Sequence, residues 1–447
     1  MRTLAIIVAL ILLPIEGRAI SMGLGKAAAK RAAVVIDKAV EIARSTAAPS
    51  ALSARLKWSV NVAETITYAS PAIATDGTVY FGTSHHFVYY NGHWLQGQKP
   101  PAAAYGLYAY NADGSLKWKY SDGGDAPVRG SPVIGADGTI YIVMERLGLT
   151  EATTNEELHA VSPLGAQRWK VTISTCYLQI GTLSPSVAPD GSIYVPGRDF
   201  TAFNPDGTQK WKDYGSQSTT SLYFGSPAIG PDGTIYSVQW STYGLFGQML
   251  RAYNPDGTIK WTSPGLGTYP IMSSPSIAAD GTVYLGIHDT LSLSGQAQGA
   301  LIAFWSTGTI RWAFAAGDFD VRSQPSIDTD GTIYFGTKGN NGYVYAVNPN
   351  GTMKWRHATV NDLVCPGCGP DVYNTPAIGA DGTIYVANEL AFVYAFNPDG
   401  TILWKDNNLA VNGGITESSA ALAADGTLYI GTAYGQFLAV RTGLLPD

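Results

Sequence analysis

Cysteine and charge are both scarce in this chain of 447 residues, which has three cysteines and only 14% charged residues. An average domain has about 25% charged residues, and the low value suits many short buried strands joined by tight turns. A zinc site made of two Cys-x-x-Cys pairs is excluded, because Cys365 and Cys368 form the one such pair. The net charge of −6 also gives no basic face for nucleic acid, so that class of partner is excluded.

Motifs of common enzymatic chemistry are absent as well. The sequence has no G-x-S-x-G nucleophile elbow, no phosphate-binding glycine loop, no H-E-x-x-H helix and no C-x-x-C-H haem attachment. A catalytic pair of carboxylates brought together from distant parts of the chain stays open. The absence of a local motif therefore favours a non-catalytic protein without deciding the matter.

Long apolar runs are missing, and the longest, from Leu4 to Ile15, is too short to span a bilayer. It follows Arg2 and precedes a Gly-Arg-Ala sequence ending at Ala19, which is typical of a signal peptide over residues 1–19. No cysteine follows for lipid attachment, so we expect a soluble, exported chain with no transmembrane segment, located in the periplasm, at the cell surface or outside the cell. Residues 20–53 are predicted to be a helical leader (24–45) and a linker; the net basic helix is either a solvated leader or a membrane-surface or partner helix.

What the chain has instead is a repeat, and a repeat takes priority over every other signal of fold. An apolar phrase hinged on Asp-Gly, such as SPAIATDGTVYFGT at 70–83, occurs eight times. Its copies begin at Ser70, Ser131, Ser184, Ser226, Ser274, Gln324, Thr375 and Ser419. A second phrase, in which an alanine precedes a tryptophan by nine residues, alternates with it and ends at Trp118, Trp169, Trp211, Trp261, Trp312, Trp355 and Trp404.

Each phrase is predicted to be a hairpin, since Asp-Gly and Asn-Pro-Asp-Gly supply the backbone angles of tight turns. Two hairpins give four strands per unit, and both strand faces are apolar, as expected where each blade packs between two neighbours. The eighth unit lacks its tryptophan strand, but ARLKWSV at 54–60, with Trp58, matches it. We therefore predict an all-β, eight-bladed, monomeric propeller over residues 54–447, in which the N-terminal strand completes the last blade beside 437–440.

The pattern A-x-N-x-x-G-x-x-x-W, as in Ala252 to Trp261, resembles the tryptophan-docking motif of the pyrroloquinoline quinone (PQQ)-like propeller family. That family includes catalytic quinoprotein dehydrogenases and non-catalytic propellers such as the lipoprotein that assists outer-membrane β-barrel assembly. The catalytic members use a disulfide between adjacent cysteines and a Glu/Asn/Asp calcium set, and neither can be matched here. The resemblance implies the scaffold, with docking tryptophans, and no cofactor; PQQ with calcium is the alternative.

The candidate binding residues lie in loops, all of which should emerge on one face of the disc because the tight turns occupy the other. The longest loop, 84–106, contains His85, His86, Tyr89, His93 and Trp94, and is interpreted as an aromatic binding lip, a histidine metal site or an ordinary packed loop. A ring two positions before each Ser-Pro comprises Tyr68, Arg129, Thr182, Phe224, Met272, Arg322, Tyr373 and Glu417. Its arginines could bind a carboxylate or phosphate, or the ring could be solvated loop ends.

Three further groups complete the sequence-based predictions. Cys365 and Cys368 are expected to form a local disulfide in an exported protein, leaving Cys176 as a free thiol. Any catalytic pair of carboxylates would come from those at loop starts, which are Glu145, Asp199, Asp289 and Glu389. The turn aspartates are a blade apart and are turn formers, since calcium needs six to eight converging oxygens.

Together these features predict a non-catalytic scaffold that binds a protein or glycan through the long-loop face. The alternatives are a PQQ- and calcium-dependent oxidoreductase, and a carbohydrate-active enzyme or lectin.

Overall fold

The computed structural model describes residues 54–443, apart from 63–64, 67–68, 85–86, 91–92, 97–104, 124–125, 148–153, 177–183, 216–220, 242–247, 268–272, 290–297, 318–319, 340–341, 360–370, 391, 407–408, 410–417 and 434. No helix occurs in this part of the chain. The predicted signal peptide and leader, and the predicted Cys365–Cys368 disulfide, lie outside the described residues.

The described residues form 34 strands. In chain order they are β1 (Leu56–Asn61), β2 (Ala72–Ile73), β3 (Val79–Gly82), β4 (Phe87–Tyr90), β5 (His93–Gln96), β6 (Leu107–Tyr110), β7 (Leu116–Tyr120), β8 (Val133–Ile134), β9 (Ile140–Leu147), β10 (Thr154–Val161), β11 (Gln167–Cys176), β12 (Ser186–Val187), β13 (Ile193–Val195), β14 (Phe200–Phe203), β15 (Gln209–Asp213), β16 (Ser221–Ile229), β17 (Ile235–Ser241), β18 (Gln248–Tyr253), β19 (Ile259–Thr262), β20 (Ser276–Ile277), β21 (Val283–Asp289), β22 (Gln298–Phe304), β23 (Ile310–Ala315), β24 (Ser326–Ile327), β25 (Ile333–Gly336), β26 (Tyr343–Val347), β27 (Met353–Ala358), β28 (Ala377–Ile378), β29 (Ile384–Ala387), β30 (Val393–Phe396), β31 (Ile402–Asp406), β32 (Ala421–Leu422), β33 (Thr427–Gly431) and β34 (Gln436–Arg441).

These strands make eight four-stranded antiparallel sheets, the blades, numbered here from the phrase at Ser70. Blades 1 to 7 have the strand orders β2-β3-β6-β7, β8-β9-β10-β11, β12-β13-β14-β15, β16-β17-β18-β19, β20-β21-β22-β23, β24-β25-β26-β27 and β28-β29-β30-β31. Blade 8 has the order β32-β33-β34-β1, in which Val60 pairs with Phe437. The predicted eight-bladed propeller, closed by the N-terminal strand, is confirmed.

Each blade is joined to the next by its tryptophan. The Trp169 indole N–H, for example, donates a hydrogen bond to the Pro205 carbonyl in the outer turn of blade 3, at 2.9 Å. The following Gly207 has φ +86°, and a Cβ on it would lie 2.8 Å from the Trp169 ring. Only glycine both adopts that backbone angle without strain and lets the ring lie flat on the turn. The same indole-to-carbonyl bond occurs at all eight tryptophans of the repeat.

A second contact between neighbouring blades was not expected. The link that enters blade 7 buries Val372 against Gly336 of blade 6, where an added Cβ would lie 2.3 Å from Val372 Cγ1. We call this arrangement a link plug. It recurs where the link enters blade 2 (Val128 on Gly82), blade 6 (Val321 on Gly286) and blade 1 (Ile66 on Gly431). The plug residues and the tryptophans both pack in the apolar clusters that lie between blades.

Candidate functional site

The two faces of the disc differ in how strictly the repeat is kept. On the short-turn face, the aspartate of the inner turn accepts a hydrogen bond from the amide two residues later and pairs with a cation on the outer strand of its own blade. In blade 1 these are Asp76, the Thr78 amide at 2.9 Å and the Lys117 ammonium at 3.1 Å. Seven of the eight blades have this ion pair within the described residues. The turn aspartates thus hold turns, as the sequence indicated.

The opposite, long-loop face carries the predicted site residues, but only part of it is described. Among the ring residues, Tyr68, Thr182, Met272 and Glu417 lie outside the described residues, and so do His85 and His86 of the long loop. Tyr89 pairs with Trp94 in a two-stranded hairpin, β4–β5, that also contains His93. The aromatic lip and the histidine metal site therefore stay predictions.

Two of the ring residues, Arg322 and Tyr373, come together at the join of blades 6 and 7. The Arg322 guanidinium carbon lies 5.6 Å from the centre of the Tyr373 ring, and the Lys338 ammonium lies 5.9 Å from the same ring. Cations at such distances are attracted by the negative face of an aromatic ring. The sequence placed Arg322 and Tyr373 at one register of the repeat, and the structure brings them within cation–π distance. Lys338, which sequence reasoning missed, follows the neighbouring strand β25.

Two aspartates fix the orientation of these side chains. The Tyr373 hydroxyl donates to Asp371 at 2.7 Å, and Asp371 also accepts from the Gly339 amide at 3.0 Å. Burial, followed by this hydrogen bond, raises the pKa of Tyr373, so the hydroxyl keeps its proton.

Arg322 is held by Asp320, whose carboxylate accepts from the Arg322 Nε at 3.0 Å and also contacts His288. Asp320 is itself held through its backbone, which exchanges two hydrogen bonds with Lys338. The six residues His288, Asp320, Arg322, Lys338, Asp371 and Tyr373 are named the blade 5–7 cluster. About a third of the Arg322 side chain remains exposed (34%), so the cluster is accessible from solvent.

The second predicted arginine has a different environment. The Arg129 Nε lies 3.0 Å from Glu145, and the two side chains are 13% and 3% exposed. Glu145 is also directly opposite Glu156 across β9 and β10, and Glu156 is buried too. Arg129 therefore compensates the buried Glu145 carboxylate inside blade 2, whereas Arg322 is partly exposed. An anion site shared by the two arginines stays a prediction.

A partly buried polar network between blades 1 and 2 contains the one group in the described residues with the composition of a metal site: Asp122, Glu157 and His159. Its carboxylates already have cations, since the Lys170 ammonium lies 2.8 Å from Asp122 and 3.5 Å from Glu157. Arg146 pairs with Asp122 as well. The two negative charges of Asp122 and Glu157 are compensated by the positive charges of Arg146 and Lys170, so a divalent ion would have to displace the lysine.

His159 completes this network as a neutral side chain. It is fully buried, its Nδ1 lies 2.8 Å from the Tyr120 hydroxyl, and burial lowers its pKa. These features indicate a structural network. The sequence gave little indication of this network. The residue just before the repeated alanine varies between blades, and His159 occupies that position in blade 2.

The residues of this chain do not fit the cofactor of the catalytic quinoproteins. Adjacent cysteines are absent from the sequence. In the blade 5–7 cluster the carboxylates of Asp320 and Asp371 are bound by Arg322 and by Tyr373, which leaves no set of oxygens converging on calcium among the described residues there. That the chain takes no cofactor stays a prediction.

No protein-family model matches the chain, and no curated protein matches it in sequence. Solved structures do match. BamB from Moraxella catarrhalis is 16% identical, with a TM-score of 0.59, over 89% of this chain and 100% of its own. The Dos1 propeller is 9% identical, with a TM-score of 0.59, over 87% and 96%. Sqt1 from Chaetomium thermophilum, bound to the N-terminus of the ribosomal protein L10, is 10% identical, with a TM-score of 0.56, over 85% and 98%.

At these identities the likeness establishes the β-propeller fold. The protein is thus an eight-bladed β-propeller, and its place in the PQQ-like family stays a prediction. In the described part of the chain there is no helix with the length and apolar character needed to cross a membrane.

Proposed function

We propose that this chain is a non-catalytic, PQQ-like propeller scaffold, exported from the cytoplasm, that binds a protein partner through its long-loop face. The observation that carries the proposal is the blade 5–7 cluster, in which Arg322 and Lys338 flank the ring of Tyr373 on the face where the repeat diverges. Support also comes from the fold neighbours, which include BamB, a PQQ-like propeller, and Sqt1 bound to the N-terminus of a ribosomal protein.

The chemistry of the cluster suits protein recognition. Tyrosine and arginine are enriched among the residues that contribute most to binding energy at protein interfaces. Here Asp371 holds the tyrosine and Asp320 holds the arginine. Because both are already oriented, less side-chain entropy is lost when a partner binds. The aromatic lip predicted in loop 84–106 is expected on the same face, because this loop joins the second and third strands of blade 1. It would extend the contact to a protein or, in the alternative, to a glycan.

Site-specific photocrosslinking in the cells that naturally produce the chain tests the proposal. A photoreactive amino acid replaces Arg322 in one variant and Lys57 in the control. Lys57 is exposed to a similar extent (31%), but it belongs to the ion pair with Asp425 on the short-turn face of blade 8. We expect a discrete protein adduct from position 322 that position 57 does not give. Absence of any adduct at 322, or identical adducts from both positions, would contradict protein binding through this face.

Adding PQQ and Ca²⁺ to the purified chain tests the non-catalytic part of the proposal. A bound quinone spectrum with a dose-dependent rise in melting temperature would establish the oxidoreductase alternative. A glycan array tests the lectin alternative in the same way: selective glycan binding that Tyr373→Ala abolishes would replace the protein partner by a carbohydrate.

A further inference from the structure

The short-turn face has an open groove of about 720 Å³ that crosses blades 3, 4 and 5. Its floor and walls are mostly apolar and come from the inner strands and turns of the three blades. The larger apolar side chains of the lining are Val187, Pro189, Tyr194, Ile229, Pro231 and Ile277. Pro255, in the outer turn of blade 4, and the exposed Ala279, in the inner turn of blade 5, also line the groove, and Asp190 is its charged residue. The groove is on the face opposite the blade 5–7 cluster.

The groove coincides with a departure from the repeat. The residue before Asp-Gly in the inner turn is alanine or threonine in six blades, and proline only at Pro189 and Pro231, both of which line the groove. Six blades form this turn without proline, as at Ala279, where the Gly281 amide donates to the Ala278 carbonyl at 2.9 Å. Proline suits the same position, so Pro189 and Pro231 keep the turn and add rigid apolar surface facing the groove.

The inner and outer turns of the blades that line the groove carry aspartates, two of which are not paired with a cation in the described part of the chain. The inner-turn aspartates Asp190, Asp232 and Asp280 pair with cations of their own blades, at 3.0 to 3.5 Å. The outer-turn aspartates Asp206 and Asp256 have no ion pair within the described residues.

Their carboxylates instead accept hydrogen bonds from Thr208 and Thr258 in their own turns, and these bonds lower the pKa of both aspartates. Asp256 follows Pro255 directly, so a fully exposed, ionised carboxylate lies next to the apolar lining.

We propose that this groove binds an extended peptide segment of a partner protein in which apolar side chains alternate with lysine or arginine. The apolar side chains pack between the prolines, Tyr194 and Ile277, in the manner of extended peptides on proline- and aromatic-lined grooves. The basic side chains face Asp206 and Asp256, whose charge no cation of the described chain compensates. This surface is separate from the long-loop face, so the proposal stands or falls independently of the function proposed above.

Selection from a random dodecapeptide library displayed on phage, with the purified full-length chain as bait, tests the proposal. The blocking variant is Ala279→Arg, which puts a long cationic side chain over the groove. The matched control is Ala424→Arg, since Ala424 is likewise exposed and likewise precedes an inner-turn aspartate, in blade 8. Both sites are on the surface, so both variants should keep the melting temperature of the wild type.

We expect the enriched peptides to combine apolar residues with two or more basic ones. Ala279→Arg should weaken their binding at least tenfold, and Ala424→Arg less than about twofold, the residual effect of one distant surface charge. Failure to enrich any peptide, enrichment of acidic peptides, or equal weakening by the two variants would overturn the proposal. So would a wild-type dimer in sedimentation that Ala279→Arg dissociates, because the groove would then bind a second copy of the chain.

Discussion

Replacing Gly336 by alanine should destabilise the propeller through one of its link plugs. The added Cβ would lie 2.3 Å from Val372 Cγ1 and 2.5 Å from the Val372 carbonyl oxygen. Val372 is fully buried, and its amide donates to the Thr337 carbonyl at 3.1 Å. Neither the side chain nor the backbone of the link can therefore move aside without losing other contacts.

The expected cost follows from this geometry. Overpacking of a core by a methylene-sized group costs about 1–3 kcal/mol, and the contact with backbone places Gly336→Ala near the upper limit, about 3 kcal/mol. In a domain of this size 1 kcal/mol shifts the melting temperature by only about 1–2 °C. Urea unfolding at constant m-value is therefore the better assay. Gly443→Ala, whose Cβ would meet nothing within 4 Å, is the control and should change the free energy of unfolding by less than about 0.5 kcal/mol.

A comparison of two plugs tests the reasoning more sharply. At Gly82 the three atoms nearest the added Cβ all belong to the side chain of Val128, with Cγ1 at 2.4 Å and Cβ at 2.6 Å. Val128→Gly removes all three and should therefore relieve much of the cost of Gly82→Ala, with a coupling energy of about 1 kcal/mol in a double-mutant cycle. Val372→Gly should relieve much less of the cost of Gly336→Ala, because the Val372 carbonyl oxygen remains 2.5 Å from the added Cβ. Equal rescue at both plugs, or a negligible cost of Gly336→Ala, would refute this account.

Three further outcomes are expected. Trp118→Phe removes the indole N–H that donates to the Pro163 carbonyl at 2.9 Å, and should lower the free energy of unfolding in urea by about 1–2 kcal/mol; an unchanged midpoint would contradict it. His159 is buried neutral with a lowered pKa, whereas the unfolded chain takes up this proton below about pH 6.5, so stability should fall as the pH drops through that value. His159→Gln should reduce the slope of the urea midpoint between pH 7 and pH 5, and an unchanged slope would exclude His159 as its source. Zinc should leave the melting temperature unchanged, because Lys170 already occupies the carboxylates; a dose-dependent rise would identify a metal site.

The sequence predicted the architecture because every feature that sets it is local. Asp-Gly turns define the hairpins, and the nine-residue spacing from alanine to tryptophan places the outer strand of each blade. The match of Trp58 to Trp118 was enough to assign the closing strand, which pairs with β34 as expected. Such features depend on neighbours in sequence, so one copy of the repeat can be interpreted with the help of the others.

The link plugs were not predicted, although their glycines recur in the sequence at one position of the phrase. Gly431 and its partner Ile66 lie at opposite ends of the chain, and the links vary in length. The aliphatic partner therefore has no fixed offset from its glycine. Contacts of this kind follow from the closed ring, and they become visible only when the blades are in place.

At the candidate site, the position of a residue in the repeat did not predict its burial or its partners. Arg129 and Arg322 occupy equivalent positions, yet Arg129 is buried on Glu145 and Arg322 remains partly exposed on Asp320. The difference comes from the residues that end the neighbouring strands and begin the links, which is where the repeats differ most. The repeat position identifies the residues of the ring, and the side chains that each one contacts determine whether it is exposed to solvent.

The same physical reasoning indicates where the short-turn face is free to acquire function. The outer-turn glycines leave room for a tryptophan ring to pack on the turn, as Trp169 does on Gly207. The inner-turn aspartates stabilise their turns by accepting a backbone hydrogen bond, as Asp232 does from the Thr234 amide. Substitution at either position would disturb the fold before it altered binding. The residue before Asp-Gly has neither role, and it is proline at Pro189 and Pro231, which line the groove. Proline suits the second position of a turn closed by the Gly191 amide on the Ala188 carbonyl, so the groove can gain rigid apolar surface there without disturbing the fold.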